Sequence, residues 1–154
     1  MSMEDFKQLI QDIVRKSCEL KNKHTMEKNA QVNYAAVFSQ DEKEYNEFYE
    51  LAKQIGKVIQ NTPTGDLFKI DAVDTVSGKL QLLKIRKPDA TRPERGDADF
   101  TVTDYPTFKS TYLVRPGFKL IERTDFEMIE LTDSTFNVRA YFSNLPLDKQ
   151  LGLK

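Results

Sequence analysis

The chain has 154 residues, 39% of them hydrophobic and 31% charged, with 23 Lys and Arg against 24 Asp and Glu for a net charge of -1. This length suits one domain, residues 1–154, and the composition excludes collagen-like, mucin-like and disordered chains. The near-neutral charge argues against a dedicated nucleic-acid-binding protein, which usually carries a basic excess.

The rare residue types and the hydropathy pattern restrict the location and the chemistry. Cys18 is the only cysteine, so no internal disulfide forms and no oxidising compartment is needed. No apolar run approaches the roughly 20 residues of a membrane span, and residues 1–15 lack the apolar core of a signal peptide. We therefore expect a soluble cytoplasmic protein. His24 is the only histidine and is predicted in a loop, which disfavours a histidine-based metal site or catalytic dyad.

The first half of the chain has helical and then strand-like patterns. Apolar residues at three- and four-residue steps predict a helix over 4–21, which together with a polar link occupies residues 1–30. The first module, residues 31–87, begins with a strand over 32–38. A capped helix to about residue 60 follows, and two short strands over 67–70 and 80–86 complete the module.

The second module, residues 97–143, nearly repeats that order. A strand over 98–102 precedes a helix that Asp104 caps and that runs through Leu113. Three strands over 118–123, 126–131 and 137–142 come next, and the tail from Asn144 shows no clear element. Antiparallel strands after a single helix, twice over, predict an α+β fold.

Three segments of the second module, Phe100–Lys109, Pro116–Arg123 and Asn137–Phe142, form a pattern in which a strand enters a helix, Gly-Phe follows and hairpin strands close the module. In this pattern the second module resembles the vicinal-oxygen-chelate superfamily, the glyoxalase and bleomycin-resistance fold. It implies two βαβββ-like modules with a mainly antiparallel, curled sheet around a cleft.

The chain departs from that family at the metal site. The family usually holds its metal by His and Glu, one of them near the start of a module's first strand. In this chain the first strand of the first module begins with Asn33, and that of the second module begins with Asp97 and Asp99. We therefore expect no resident metal. If a metal binds, a hard ion such as Mg²⁺ or Mn²⁺ on Asp99, Glu127 or Glu130 is the sensible alternative.

Strand alternation predicts which polar side chains face the cleft. Lys84 and Arg86 share one strand face, and Arg139 and Tyr141 share another. Glu127 and Glu130 lie on opposite faces of their strand, and the pattern does not say which one faces the cleft. The candidate catalytic or ion-binding carboxylates are Asp99 and Glu130, and the candidate ligand-binding residues are Asn33, Lys84, Arg86, Arg95, Arg139 and Tyr141.

Two functional hypotheses follow. The first is a small-molecule-binding protein of glyoxalase-like architecture, with lyase or isomerase chemistry on a polar or anionic metabolite as its catalytic form. The second is a non-catalytic interaction or regulatory module that uses the basic segment 84–97. A homodimer through the N-terminal helix or the sheet edges is compatible with either hypothesis. Alternatively, the candidate residues are ordinary charged side chains on a solvated sheet face and form no binding site. A pocket in which these groups converge favours the first hypothesis.

Overall fold

The computed structural model describes residues 1–153. A long helix precedes two strand-helix-strand-strand-strand units, and a short helix ends the chain. The elements are α1 (Met3–His24), β1 (Gln31–Phe38), α2 (Glu42–Ile55), β2 (Gly56–Gln60), β3 (Gly65–Thr75), β4 (Gly78–Arg86), β5 (Gly96–Thr101), α3 (Tyr105–Tyr112), β6 (Phe118–Glu122), β7 (Glu127–Leu131), β8 (Val138–Asn144) and α4 (Leu147–Gln150).

The strands described in residues 1–153 form one mixed sheet in the order β2-β3-β4-β1-β5-β8-β7-β6. Strands β1 and β5 pair antiparallel at its centre. Each also pairs in parallel with the last strand of its own module, β1 with β4 and β5 with β8. The remaining pairings are antiparallel. The sheet therefore consists of two βαβββ halves in related order, which confirms the predicted α+β fold with an N-terminal helix.

The three longer helices cover one face of the sheet. Helix α1 begins at Ser2, whose hydroxyl accepts a hydrogen bond from the Asp5 amide, and its apolar stripe packs against β5 and β8. Phe6 and Ile10 on that stripe are fully buried, and the Phe6 ring stacks on Phe48 of α2 with 5.9 Å between centroids. The core thus lies between the helices and this face, leaving the other face free of them.

The structure corrects two predictions in the first half of the chain. Helix α2 ends at Ile55 rather than near residue 60, and residues 56–60 form the edge strand β2. Gly56 marks the change, because a Cβ there would lie 2.2 Å from the Lys69 carbonyl oxygen of the adjacent strand. His24, predicted in a loop, is the last residue of α1.

The structure also corrects the prediction for the tail. Residues 147–150 form α4, although no element was expected there. Its position is fixed by Asn33 of β1, whose amide nitrogen donates to Asp148 Oδ1 at 2.8 Å and whose amide oxygen accepts from the Asp148 backbone at 3.1 Å. No helix in residues 1–153 is both long and apolar enough to cross a membrane.

Candidate functional site

The sheet face opposite the helices carries rows of polar side chains, which we call the polar face. One row crosses the sheet in register through Leu67, Lys84, Ala36, Asp97 and Arg139. The next row passes through Tyr34, Asp99, Tyr141 and Glu130. Side chains in register on neighbouring strands lie about 5 Å apart, so both rows are continuous.

The polar face holds most of the residues that strand alternation selected. Lys84, Arg86, Asp99, Arg139 and Tyr141 alternate with core residues such as Ile85, Phe100 and Ala140. The charges of Lys84, Arg86 and Arg139 all act on the same carboxyl group, that of Asp97. The structure therefore brings these predicted residues together, while their functional roles stay predictions.

Asp97 and Asp99 are buried at the centre of this face, 5% and 1% exposed. Burial raises the pKa of each carboxyl to about 7, and at Asp97 the surrounding guanidinium and ammonium groups oppose the rise. Asp99 accepts a hydrogen bond from the Ser143 hydroxyl. Within the described residues, the Oδ1 atoms of both aspartates lack a hydrogen-bond partner.

Two tyrosines flank the aspartates and remain hydroxyl donors. Burial, with the neighbouring Asp97 and Asp99 carboxylates, raises the pKa of Tyr34 well above its ordinary value. Burial likewise raises the pKa of Tyr141, whose hydroxyl donates to Glu130 Oε2 at 2.6 Å. Tyr34 was missed by sequence reasoning because the strand register shifts between Val32 and Tyr34, which shifts the alternation of β1.

Glu130, not Glu127, lies on the polar face, which settles the question that the sequence left open. The Glu130 carboxylate also pairs with Arg139 Nη1 at 3.2 Å, while Arg139 Nη2 lies 3.1 Å from Glu94. Glu127 lies on the helix side, where it accepts from Tyr105 of α3 and pairs with Lys109, each at 2.8 Å. The two carboxylates therefore cannot act on one ligand.

The segment between β4 and β5, residues 87–95, turns its arginines inward. Arg92 Nη1 donates to the Tyr141 hydroxyl at 3.1 Å, and its guanidinium lies 5.6 Å from the Phe38 ring centroid. Arg86 lies against the same ring at 5.7 Å. Sequence reasoning missed Arg92, because a loop has no periodicity that would indicate where its side chains point.

Two predicted ligand-binding residues are engaged in structural contacts instead. Arg95 forms a two-pronged pair with Glu44 near the start of α2, with both N–O distances at 2.8 Å. This contact lowers the pKa of Glu44. Asn33 holds α4 through Asp148, as described above. The structure thus does not bring Arg95 or Asn33 into the polar cluster.

The donor set of the polar face does not fit the divalent metal that the family resemblance implies. No group of three or more His, Cys, Asp or Glu with metal-binding geometry occurs in residues 1–153. Asp97 is surrounded by cationic side chains, and the Glu130 carboxylate is occupied by Tyr141 and Arg139. Cations at these positions repel a divalent ion, so no step of the chemistry below uses one.

A cleft of about 600 Å³ opens at the margin of the polar face. Its lining includes Glu94, Glu130 and Arg139, together with Phe136 and Asn137 of the turn between β7 and β8. Glu94 and Glu130 both contact Arg139 at the edge of the cluster, whereas Asp133, which also lines the cleft, contacts Lys23 and His24 of α1. The cleft therefore connects the polar face with solvent beside Arg139.

The comparisons with known proteins show that one solved structure shares the fold. No model of a known protein family matches the chain. No curated protein matches it either. A solved structure described as "Structural Genomics, Protein EC4020" superposes with a TM-score of 0.68 at 14% identity, over 91% of this chain and 86% of that one. Such low identity shows a shared fold and nothing finer.

Two further structures superpose less closely on this chain. One is a glyoxalase/bleomycin resistance protein/dioxygenase superfamily member from Vibrio splendidus 12B01, with a TM-score of 0.46, 7% identity and coverage of 74% of this chain and 97% of that one. The other is a mutant of 4-hydroxymandelate synthase from Streptomyces coelicolor, with a TM-score of 0.37, 14% identity and coverage of 76% and 50%.

The sheet topology itself shows the fold. Two βαβββ modules in a mainly antiparallel sheet are what the resemblance implies, and here the modules meet through their first strands, β1 and β5. The fold is glyoxalase-like. Since this architecture hosts many reactions, function must be argued from the polar face itself.

Proposed function

We propose that the protein binds a small anionic molecule on the polar face, with Lys84, Arg86 and Arg92 as the cationic contacts. The observation that carries the proposal is an imbalance of charge. Arg86 has Asp89 at 3.4 Å, and Arg139 has Glu94 and Glu130. Lys84 and Arg92 form no ion pair with any residue in 1–153, although both are only partly exposed.

Asp97 is the carboxyl group that acts on both of these cations, and its raised pKa of about 7 leaves it only partly charged at neutral pH, so a bound anion stabilises this arrangement. Arg86 and Arg92 lie against the same ring, that of Phe38, and the charges of both act on Asp97. Planar guanidinium groups recognise carboxylate or phosphate through paired hydrogen bonds. The ligand class that fits is therefore a small carboxylate or phosphate compound.

The catalytic form of the proposal uses the buried aspartates as proton carriers. A carboxyl group with a pKa of about 7 exchanges protons readily at neutral pH, which suits lyase or isomerase chemistry. Asp97 is the better placed of the two, because it lies in the same row as Lys84. Asp99 lies in the next row and Glu130 orients Tyr141 and Arg139.

The test is a calorimetric titration with lactate and with inorganic phosphate. The native protein is expected to bind at least one of them. Arg92→Gln is expected to weaken that binding about ten-fold to 100-fold, the effect of losing one charge-assisted hydrogen bond. Arg123→Gln, at an exposed arginine in the turn after β6, is the matched control and should bind as the native protein does. Equal affinities for the Arg92 variant and the native protein would contradict the proposal.

A further inference from the structure

Lys84 and Arg139 occupy equivalent positions in the two modules. Each lies on the last strand of its module, beside one member of the central pair Ala36 and Asp97. Arg139 is neutralised by Glu94 and Glu130. In the first module the neighbour of Lys84 on β3 is Leu67, so no carboxylate is supplied. The related halves thus give one paired cation and one unpaired amine.

Lys84 is partly exposed, whereas its row neighbours Ala36 and Asp97 are buried. Its neighbour on β1 is Ala36, the smallest side chain of the row, and Asp97 follows on β5. The Lys84 and Asp97 backbones are two strand spacings apart, about 10 Å, which a lysine side chain and a small ligand span together. Asp97 contributes an Oδ1 atom without a hydrogen-bond partner in the described residues.

The electrostatics of the row favour the neutral amine. Burial and the nearby charges of Arg86 and Arg92 lower the pKa of Lys84 to about 8, against the partial opposition of Asp97. At pH 7 roughly one Lys84 side chain in ten is then uncharged, compared with about one in several thousand for an ordinary lysine. Only the uncharged amine is a nucleophile.

We propose that Lys84 is the nucleophile of this site and forms an imine with the carbonyl group of a bound 2-oxo acid. This inference rests on the proposed anion site, because Arg86 and Arg92 hold the carboxylate of the same molecule. Lys84 and Arg86 are two residues apart on one strand and project side by side on the polar face. Adjacent carboxylate and carbonyl groups, as in a 2-oxo acid, match this adjacent pair.

The reaction balances without an oxidant or a reductant. The Lys84 nitrogen forms a bond to the carbonyl carbon, the carbonyl electron pair moves to oxygen, and the proton released by nitrogen passes through Asp97 to that oxygen. The remaining nitrogen proton then passes through Asp97 to the hydroxyl group as the C–O bond breaks, so water leaves, the C=N bond forms and Asp97 returns to its starting state. The sum is one amine and one 2-oxo acid giving one imine and one water.

The test is reductive trapping with pyruvate and cyanoborohydride at pH 7, followed by peptide mass spectrometry. We expect one reduced pyruvate adduct on Lys84, at least ten-fold more abundant than on any other lysine. Lys84→Arg keeps the charge and should lose this adduct. Lys69→Arg, at an exposed lysine on the neighbouring strand β3, is the matched control and should keep it. Adducts spread evenly over the lysines would overturn the inference.

A competition experiment on the native protein avoids dependence on the folding of any variant. Lactate has the carboxylate of pyruvate but not its ketone group. An excess of lactate should therefore slow the labelling of Lys84 by pyruvate, and lactate itself should not be trapped. If lactate binds in the Arg92-dependent way and pyruvate leaves no adduct on Lys84, the imine is wrong and the anion site stands. If neither lactate, phosphate nor pyruvate binds, the proposed function fails and the imine with it.

Discussion

Asp99 shows how burial couples the polar face to pH. Its carboxyl is 1% exposed and its pKa rises from an ordinary value near 4 to about 7. Between these values the folded protein holds a proton that the unfolded chain has released. The free energy of unfolding therefore falls as pH rises through this window, since the charged form is disfavoured only in the folded state.

Replacing Asp99 by Asn removes this titration and keeps an oxygen that accepts from Ser143. We expect the free energy of unfolding of Asp99→Asn, relative to the native protein, to rise by roughly 2 to 3 kcal/mol between pH 5 and pH 8. Urea denaturation across that range measures it, with Asp125→Asn at an exposed turn as the control. Parallel curves for the Asp99 variant and the native protein would show that Asp99 does not titrate in this window.

The residues of the polar face were predictable where strand alternation holds. The pattern placed Lys84 with Arg86 and Arg139 with Tyr141 on the face away from the core, as found. It could not identify Arg92, whose position depends on the path of a loop. Arg95 and Asn33 were selected for their chemistry, but they form contacts with Glu44 and Asp148 that are distant in sequence.

At the scale of elements, α1 stabilises both halves of the sheet. It contacts β1 and β3 of the first module and β5 and β8 of the second. Its fully buried Phe6 also stacks on Phe48 of α2. The helix is thus a shared part of the core rather than an appendage.

Truncating Phe6 to Ala should therefore lower the free energy of unfolding by about 3 to 5 kcal/mol, the cost of removing a fully buried ring. Urea denaturation measures the change, and Lys16→Ala on the exposed side of the same helix should change it little. A loss no larger for Phe6→Ala than for Lys16→Ala would contradict this role of α1.

The end of α1 is attached to the turn between β7 and β8 through Asp133. Its carboxylate lies 2.9 Å from Lys23 Nζ and 2.8 Å from His24 Nε2. Hydrogen bonds from Thr135, Lys23 and His24 hold the pKa of Asp133 well below its ordinary value. A carboxyl group whose pKa is depressed in the folded state stabilises the fold at pH values above its unfolded-state pKa. This stabilisation is lost as the pH falls below that value.

Asp133→Asn should accordingly lower the melting temperature at pH 7, and the difference from the native protein should shrink as pH falls below about 4. Thermal unfolding followed by circular dichroism at pH 7 and at pH 3 measures both values. Asp125→Asn again serves as the exposed control. A difference that is the same at the two pH values would contradict the attachment.

The order of elements was largely predictable, but β2 was not. Val58 and Ile59 continue the three- and four-residue spacing of α2, so the pattern extended the helix through them. Pairing of Gly56 through Val58 with β3 overrides that local preference. A close approach of two strands at Gly56 is a long-range contact that no local spacing reports.

At the scale of the whole molecule, two related modules yield unlike halves of one site. The second module neutralises Arg139 with Glu94 and Glu130, and the first leaves Lys84 unpaired beside Ala36. Asp97, at the central junction of β1 and β5, lies within the influence of both. We propose that an anionic ligand binds at this junction, on the face away from the helices.

The most direct test is a two-dimensional amide NMR titration of the native protein with lactate and with phosphate. The account predicts saturable shifts centred on β4, β5 and β8, strongest around Lys84, Arg86 and Asp97, with little change along α1. If neither anion produced shifts, or if the shifts were confined to the helical face, the proposed anion site would be contradicted.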